Sequence, residues 1–157
     1  MPANVRAGQV LGLVETVGGL GTVVDVAKLA DEFGSDLVTF LPVLDVGEML
    51  GLVKLEKGDI SLTEFGRKFQ KTSKYKVRLL KDRLSQIEPF KTALELAKLK
   101  GEVSSEEVSD ALAARDITWH HTPEINQAVV QNLLVHWAIY GGLLNYNGKT
   151  GQFQATP

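Results

Sequence analysis

The chain has 157 residues with a net charge of −2, 44% hydrophobic and 23% charged, which is typical of a folded globular protein and argues against disorder. It contains no cysteine, which excludes disulfides, thiolate metal sites and cysteine nucleophiles. No apolar run reaches the roughly 18 residues of a membrane-spanning helix, and the N-terminal MPANVRAGQV lacks the regions of a signal peptide. We therefore expect a soluble cytoplasmic protein that does not insert into membranes.

The first third of the chain predicts three helices. The first has valines at helical spacing and is expected to end at a glycine cluster, Gly18, Gly19 and Gly21. Thr22 is the predicted N-cap of the second, with Asp25 in its first turn and an apolar stripe at Val26, Leu29, Ala30 and Phe33. The third is predicted over residues 40–50, with Thr39 as its cap and Pro42 in its first turn.

A β-hairpin is predicted next, in the segment LVKLEKGDISL. Two short extended runs flank Lys57-Gly58-Asp59, the turn chemistry that favours a tight reversal. Three helices followed by a hairpin are typical of a winged helix.

A connector over residues 63–88 is predicted to be helical, with Val77, Leu80, Leu84 and Ile87 on one apolar face and a break near Pro89. Residues 67–83 carry eight cations against one acid, whereas residues 1–66 have a net charge of −6 and residues 84–157 of −3. This basic band is the candidate contact for a partner or an anion, and it consists of Arg67, Lys68, Lys71, Lys74, Lys76, Arg78, Lys81 and Arg83.

The last third of the chain repeats the plan of the first. A helix from Phe90 is expected to end at Gly101, and Ser104 and Glu107 form a capping box for the next. Thr122 and Pro123 open a long helix, predicted to carry Ile125, Val129, Leu133, Trp137 and Tyr140 and to stop at Gly141 and Gly142. LLNYNGKTGQF then predicts a second hairpin, with its turn at residues 147–151.

The predicted class is therefore mainly α with small β-hairpins, arranged as tandem winged-helix units joined by a helical connector. The units are expected over residues 1–72 and 89–157, with the connecting helix at 73–88, all packed as one compact body. Laid side by side, Thr22, Asp25 and Val26 correspond to Ser104, Glu107 and Val108.

These residues resemble a known family. VLGLVETVGG, DVAKLADEFG and FLPVLDVGEMLGLVKLEKGDISLTEFGRKF, in this order, are similar to the C-terminal AAA-associated domain, and the likeness runs over about residues 7–155. That domain is appended to the ATP-binding subunits of nitrate-, sulfonate- and taurine-type ABC transporters, and it also occurs alone. The resemblance implies a regulatory or assembly role, with an ABC transporter ATP-binding subunit or a second copy of the chain as partner. It carries over no catalytic residues.

The residues themselves favour a protein that is not an enzyme and binds no cofactor or metal. There is no G-x-x-x-x-G-K-[ST] loop for ATP. His120 and His121 are neighbours whose side chains diverge, and no cysteine completes a zinc set with His136. A different interpretation of the His120–His121 pair is a sensor of pH near neutrality.

DNA binding is the rival hypothesis, since winged helices insert their third helix into the major groove. In the first unit, burial of Val43, Val46 and Leu50 leaves Asp45 and Glu48 facing outward, where phosphates repel them. In the second unit the outward candidates are Asn126, Gln127 and Gln131, without a nearby cation. Recognition of DNA bases by either third helix is therefore disfavoured. Two other hypotheses remain open: a transcription regulator that contacts DNA through the basic band, and a sensor of small anions.

Overall fold

The computed structural model describes residues 1–21, 23–34, 37–72 and 76–157. The chain divides into two compact units, an N-terminal unit of residues 2–76 and a C-terminal unit of residues 77–157 that also takes in Met1. Each unit combines several helices with a small antiparallel sheet. The predicted class, mainly α with small hairpins, is confirmed.

The N-terminal unit has the element order α1 (Ala7–Leu20), β1 (Val24–Asp25), α2 (Val26–Glu32), α3 (Leu37–Met49), β2 (Val53–Glu56), β3 (Asp59–Leu62) and α4 (Glu64–Lys71). β3 lies between β1 and β2 in an antiparallel sheet. Lys57 and Gly58 have φ values of 50° and 81°, as a two-residue hairpin turn requires. The first hairpin is therefore confirmed, and β1 adds a strand that the sequence did not predict.

Three helix boundaries in this unit differ from the prediction. Helix α1 continues through Gly18 and Gly19 to Leu20, because a glycine weakens a helix without ending it. The cap of α2 is Asp25, whose carboxylate accepts a hydrogen bond from the Lys28 N–H at 3.1 Å, while Thr22 lies outside the described residues. Helix α3 begins at Leu37, so Thr39 is not its cap.

Pro42 is consequently inside α3 rather than in its first turn. A proline there leaves one carbonyl of the preceding turn without its helical donor. The carbonyl concerned belongs to Val38, four residues earlier, whose side chain is 80% exposed, so water can take the place of the donor.

The core of the N-terminal unit forms where the inner faces of α1 and α3 meet the sheet and α4. The side chains that are at most 5% exposed come from every one of these elements: Val10, Leu13, Val14, Val17, Phe40, Val43, Leu44, Val46, Val53, Ile60 and Phe69. Burying each valine, leucine or phenylalanine contributes about 1.5–3 kcal/mol. This core fixes α3 with its other face directed to solvent.

The C-terminal unit opens with most of a 3₁₀ turn, Lys76–Leu80, whose first residue is the last of the N-terminal unit. Its elements are α5 (Lys81–Leu84), α6 (Phe90–Lys100), α7 (Ser105–Ala113), α8 (Pro123–Leu133), a π-helical segment (Leu134–Ile139), β4 (Leu144–Asn147) and β5 (Gln152–Ala155). The predicted end of α6 at Gly101, the Ser104–Glu107 capping box and the second hairpin are all confirmed. Phe90, Val108, Leu112, Val130, Leu133, Trp137 and Phe153 form the core.

The long helix from Pro123 is confirmed, and its last part, Leu134–Ile139, is π-helical. Of the five apolar residues predicted on it, Leu133 and Trp137 are buried, whereas Ile125 and Tyr140 are 47% and 43% exposed. The buried side of the helix also carries Val130, Leu134 and Ala138.

We predicted that the connector over residues 63–88 is helical, but α4 does not continue through it as a single helix. Helix α4 ends at Lys71, and Thr72 follows with the extended values φ −80° and ψ 118°. Its hydroxyl donates to the Lys68 carbonyl at 2.8 Å. Like charges four residues apart, such as Arg67 and Lys71, oppose further extension of the helix. Residues 73–75 lie outside the described part, and helical structure resumes at Lys76.

The two hairpins are closed at their bases by the same hydrogen bonds. In the first, the Thr63 hydroxyl donates to Gly51 O at 2.5 Å and the Thr63 N–H donates to Leu52 O at 3.0 Å. In the second, the Thr156 hydroxyl donates to Gly142 O at 2.5 Å and its N–H donates to Leu143 O at 3.1 Å. Gly51 and Gly142 have matching φ values of 72° and 74°.

The residues that precede the N-caps of α2 and α7 also form equivalent pairs in the two units. Val24 lies opposite Ile60, the second residue of β3, and Val103 forms a bridge with Phe153, the second residue of β5. The following residues, Asp25 and Ser104, are both N-caps. Asp25 therefore corresponds to Ser104, and the alignment of Asp25 with Glu107 was three residues out of register.

Candidate interaction surfaces

The structure divides the basic band between the two units. In the N-terminal unit, Arg67, Lys68 and Lys71 are exposed and project from α4 within an arc of about 100°. Arg67 also donates to Leu62 O at 3.1 Å. Lys76 is held apart from them, with its Nζ 2.8 Å from Glu15 Oε1 and 5.2 Å from the centre of the Phe69 ring. Lys74 lies outside the described residues.

The remaining basic residues, Arg78, Lys81 and Arg83, belong to the C-terminal unit. Arg78 and Lys81 line an open cleft of about 380 Å³ together with Gly142, Thr156 and Pro157. The Lys81 Nζ is 3.5 Å from the Thr156 hydroxyl, the group that closes the second hairpin. The eight cations therefore do not project from a single helix.

His120 and His121 contact each other and the start of α8, whereas His136 is exposed. The rings of His120 and His121 stack with their centres 4.4 Å apart, and His120 Nδ1 accepts a hydrogen bond from the Thr122 N–H at 3.0 Å. His120 thus fixes the backbone of Thr122, the N-cap residue of α8, whose own side chain makes no cap hydrogen bond. Within residues 1–21, 23–34, 37–72 and 76–157, no group of three or more His, Asp or Glu side chains is placed to hold a metal ion.

Asn126, which we predicted to face outward as a reader of bases, is only 4% exposed. Its Oδ1 accepts hydrogen bonds from the N–H groups of Trp119 and His120, at 2.7 and 3.2 Å. The side chain fixes the loop that enters α8. The sequence did contain a signal for this, because Asn126, Val130, Leu133 and Trp137 recur every three or four residues.

The outward side of α3 is the surface that the sequence indicated only in part. Asp45 and Glu48 are exposed, as predicted. Three apolar side chains lie on the same side, Val38 at 80% exposure and Leu41 and Met49 at 45% each. We call these five residues the α3 outer face. Helix α3 is apolar on nearly all sides, a pattern that normally indicates a fully buried helix. The sequence therefore gave no sign that these three apolar residues are exposed.

The family model of the C-terminal AAA-associated domain matches residues 27–147 of the chain. The chain belongs to that family. The match includes α3, the first hairpin, α4 and most of the C-terminal unit, so both candidate surfaces lie within the family domain. By its description, the family associates this domain with AAA ATPases. Neither the curated proteins nor the solved structures gave a match.

Membership in the family confirms the resemblance drawn from the sequence. None of the helices in the described ranges of this AAA-associated domain is long and apolar enough to cross a lipid bilayer. The family match identifies no site residues, so the eight cations of the basic band remain predictions as contacts.

Proposed function

We propose that this AAA-associated domain is a non-catalytic regulatory or assembly module that acts on the ATP-binding subunit of an ABC-type anion transporter. The observation that carries the proposal is the family match over residues 27–147. The sequence contains no G-x-x-x-x-G-K-[ST] loop, and in this proposal the nucleotide chemistry belongs to the ATP-binding subunit.

The use of polar groups inside the molecule supports a non-enzymatic role. Thr92 donates to the Glu88 carboxylate at 2.8 Å, Ser109 donates to Glu106 O at 3.0 Å, and Asn126 accepts two backbone N–H groups. The Ser104 and Glu107 pair caps α7. These groups are committed to holding helices and loops, which leaves them unsuited to act on a substrate.

We further propose that both units are winged helices. In each, a helix, a short β segment, two more helices and a hairpin follow in that order, and the short segment pairs with the last strand. The shared closure of the hairpins by Thr63 and Thr156 supports an origin by duplication.

Co-purification from the native host tests the proposed function. A tagged chain, recovered under mild conditions, is expected to carry an ABC-type ATP-binding subunit identified by mass spectrometry. The purified subunit should then change its rate of ATP hydrolysis or its oligomeric state when the chain is added. Recovery of the chain without any such subunit, from cells that express both, would sink the proposal.

The alternative function is a DNA-binding regulator, favoured by the exposed cluster of Arg67, Lys68 and Lys71 on α4. Three phosphate contacts would give a slope of about −2.7 for log K against log salt on duplex DNA. Titrations that show no duplex binding at low salt would remove this alternative. Binding that persists after serine replaces all three cations would do so as well.

A further inference from the structure

The α3 outer face is an apolar surface on a helix whose other side is locked into the core. Val38, Leu41 and Met49 are 80%, 45% and 45% exposed, while Phe40, Val43, Leu44, Val46 and Leu50 on the inner side are at most 5% exposed. At about 100° per residue the five residues of the outer face span an arc of about 100°, over a length of about 16 Å. That is the width and length of a seat for one partner helix.

The charges on this face are uniformly negative. Asp45 and Glu48 lie between Leu41 and Met49, and no ion pair of the described residues includes either carboxylate. Helix α3 contains no Lys or Arg. Glu48 Oε2 accepts one long hydrogen bond, 3.4 Å, from the Leu55 N–H, so most of its hydrogen-bonding capacity remains directed to solvent.

We propose that the α3 outer face docks an amphipathic helix of the ATP-binding subunit, one that carries apolar residues at i, i+3 or i+4 beside lysine or arginine. This inference rests on the proposed function and specifies the surface and the chemistry of the partner. The apolar residues of that helix would cover Val38, Leu41 and Met49, and its cations would pair with Asp45 and Glu48.

Two other occupants fit these charges less well. Nucleic acid would bring phosphates against two carboxylates. A second copy of the chain, docked on the same face about a two-fold axis, would place four carboxylates and no α3 cation in one interface, since a two-fold interface pairs one patch with itself. Complementary charge therefore favours a basic helix.

The first test uses the co-purification with substituted chains. One variant carries Val38→Ser and Leu41→Ser, and a second carries Asp45→Lys and Glu48→Lys. Leu99→Ser is the matched apolar control, since Leu99 on α6 is 82% exposed. Glu106→Lys with Asp110→Lys is the matched charge control, because both are exposed acids one turn apart on α7. Circular dichroism checks that each variant folds.

We expect the amount of ATP-binding subunit that co-purifies to fall about tenfold with both α3 variants and to be unchanged with both controls. Equal recovery with all five chains would overturn the inference while the proposed function stands. If the unsubstituted chain recovers no subunit, the proposed function fails and the subunit is not the partner, and the second test then decides whether the α3 outer face binds a basic amphipathic helix.

The second test measures binding of a labelled synthetic amphipathic helix of about 15 residues, built from leucine and lysine, by fluorescence anisotropy. Its counterpart has glutamate in place of lysine. The unsubstituted chain should bind the lysine peptide at least about tenfold more tightly than the glutamate peptide. The Asp45→Lys, Glu48→Lys variant should reverse that preference, a gain that misfolding cannot produce.

An unchanged preference in that variant, or no binding of either peptide by the unsubstituted chain, would overturn the inference. The oligomeric state is measured alongside by light scattering. A dimer of the unsubstituted chain that dissociates in the Val38→Ser, Leu41→Ser variant would identify a second copy as the occupant and would also overturn it.

Discussion

Replacement of Gly66 by alanine tests how closely α4 packs against the first hairpin. Gly66 is buried in α4 and its N–H donates to the Thr63 hydroxyl at 2.9 Å. A Cβ added at this position would lie 2.0 Å from Leu52 O and 2.9 Å from Leu52 C. Those are backbone atoms, so no side-chain rotation relieves the clash, and α4 must move away from the strand.

The expected cost combines three effects. Forcing an extra methyl group into a packed site costs about 1–3 kcal/mol. Moving α4 also weakens the bonds from Thr63 to Leu52 O and Gly51 O, at about 1 kcal/mol each. Alanine returns about 1 kcal/mol through its better helix propensity. The net loss in free energy of unfolding is about 2–4 kcal/mol.

Urea titration followed by far-UV circular dichroism measures this loss. With a slope of about 2 kcal/mol per molar, the midpoint of the N-terminal unit should fall by about 1–2 M. Hydrogen exchange assigns the loss to that unit, because Gly66 and its contacts all lie within residues 2–76. Gly19→Ala is the matched control, since Gly19 lies in α1 with no atom within 4 Å of the added Cβ. A Gly66→Ala protein as stable as the control would refute the packing argument.

Three further predictions concern the C-terminal unit and are measured in the same way. Asn126→Ala should cost about 2–3 kcal/mol, because two backbone N–H groups lose their buried acceptor; a loss under half of that would contradict this role. Ser104→Ala should lower the free energy of unfolding by about 1 kcal/mol, whereas Thr122→Ala, at an N-cap without a side-chain hydrogen bond, should leave it nearly unchanged. Equal losses for the two variants would argue against the cap at Ser104. Thr156→Val should cost about 1–2 kcal/mol by removing the bond to Gly142 O, and a neutral result would count against the closure.

Local chemistry allowed much of the fold to be predicted. The capping box at Ser104 and Glu107, the stop at Gly101 and the reversal at Lys57 and Gly58 depend on residues within one or two turns of each other. A short sequence window therefore contains all the atoms that decide them. The order of these elements also carried the family resemblance.

The features that were missed depend on distant partners. β1 exists because Val24 pairs with Ile60, thirty-six positions later, and two residues show no alternation. The burial of Asn126 is an exception, because its partners Trp119 and His120 lie only seven and six residues away and its helical spacing from Val130 was an overlooked signal. The basic band is contiguous in sequence, and its division at residues 76 and 77 follows from packing that no charge count reveals.

Only the two acidic residues of the α3 outer face were predicted from the sequence. Its acids were identified because polar residues in an apolar helix mark the solvent side. Val38, Leu41 and Met49 were not, because hydrophobicity does not distinguish a core side chain from one that awaits a partner.

In both hairpins the closing hydrogen bonds lie at the base, so the tips are suitable for modification. Gly148, Lys149 and Thr150 are exposed beyond the last paired residues of β4 and β5, while the fastening bonds lie at the opposite end, at Thr156. A fluorophore or short epitope grafted at Lys149 should leave the register of the ribbon intact. A labelled chain of this kind would follow the module in its native host with every residue of both candidate surfaces unsubstituted.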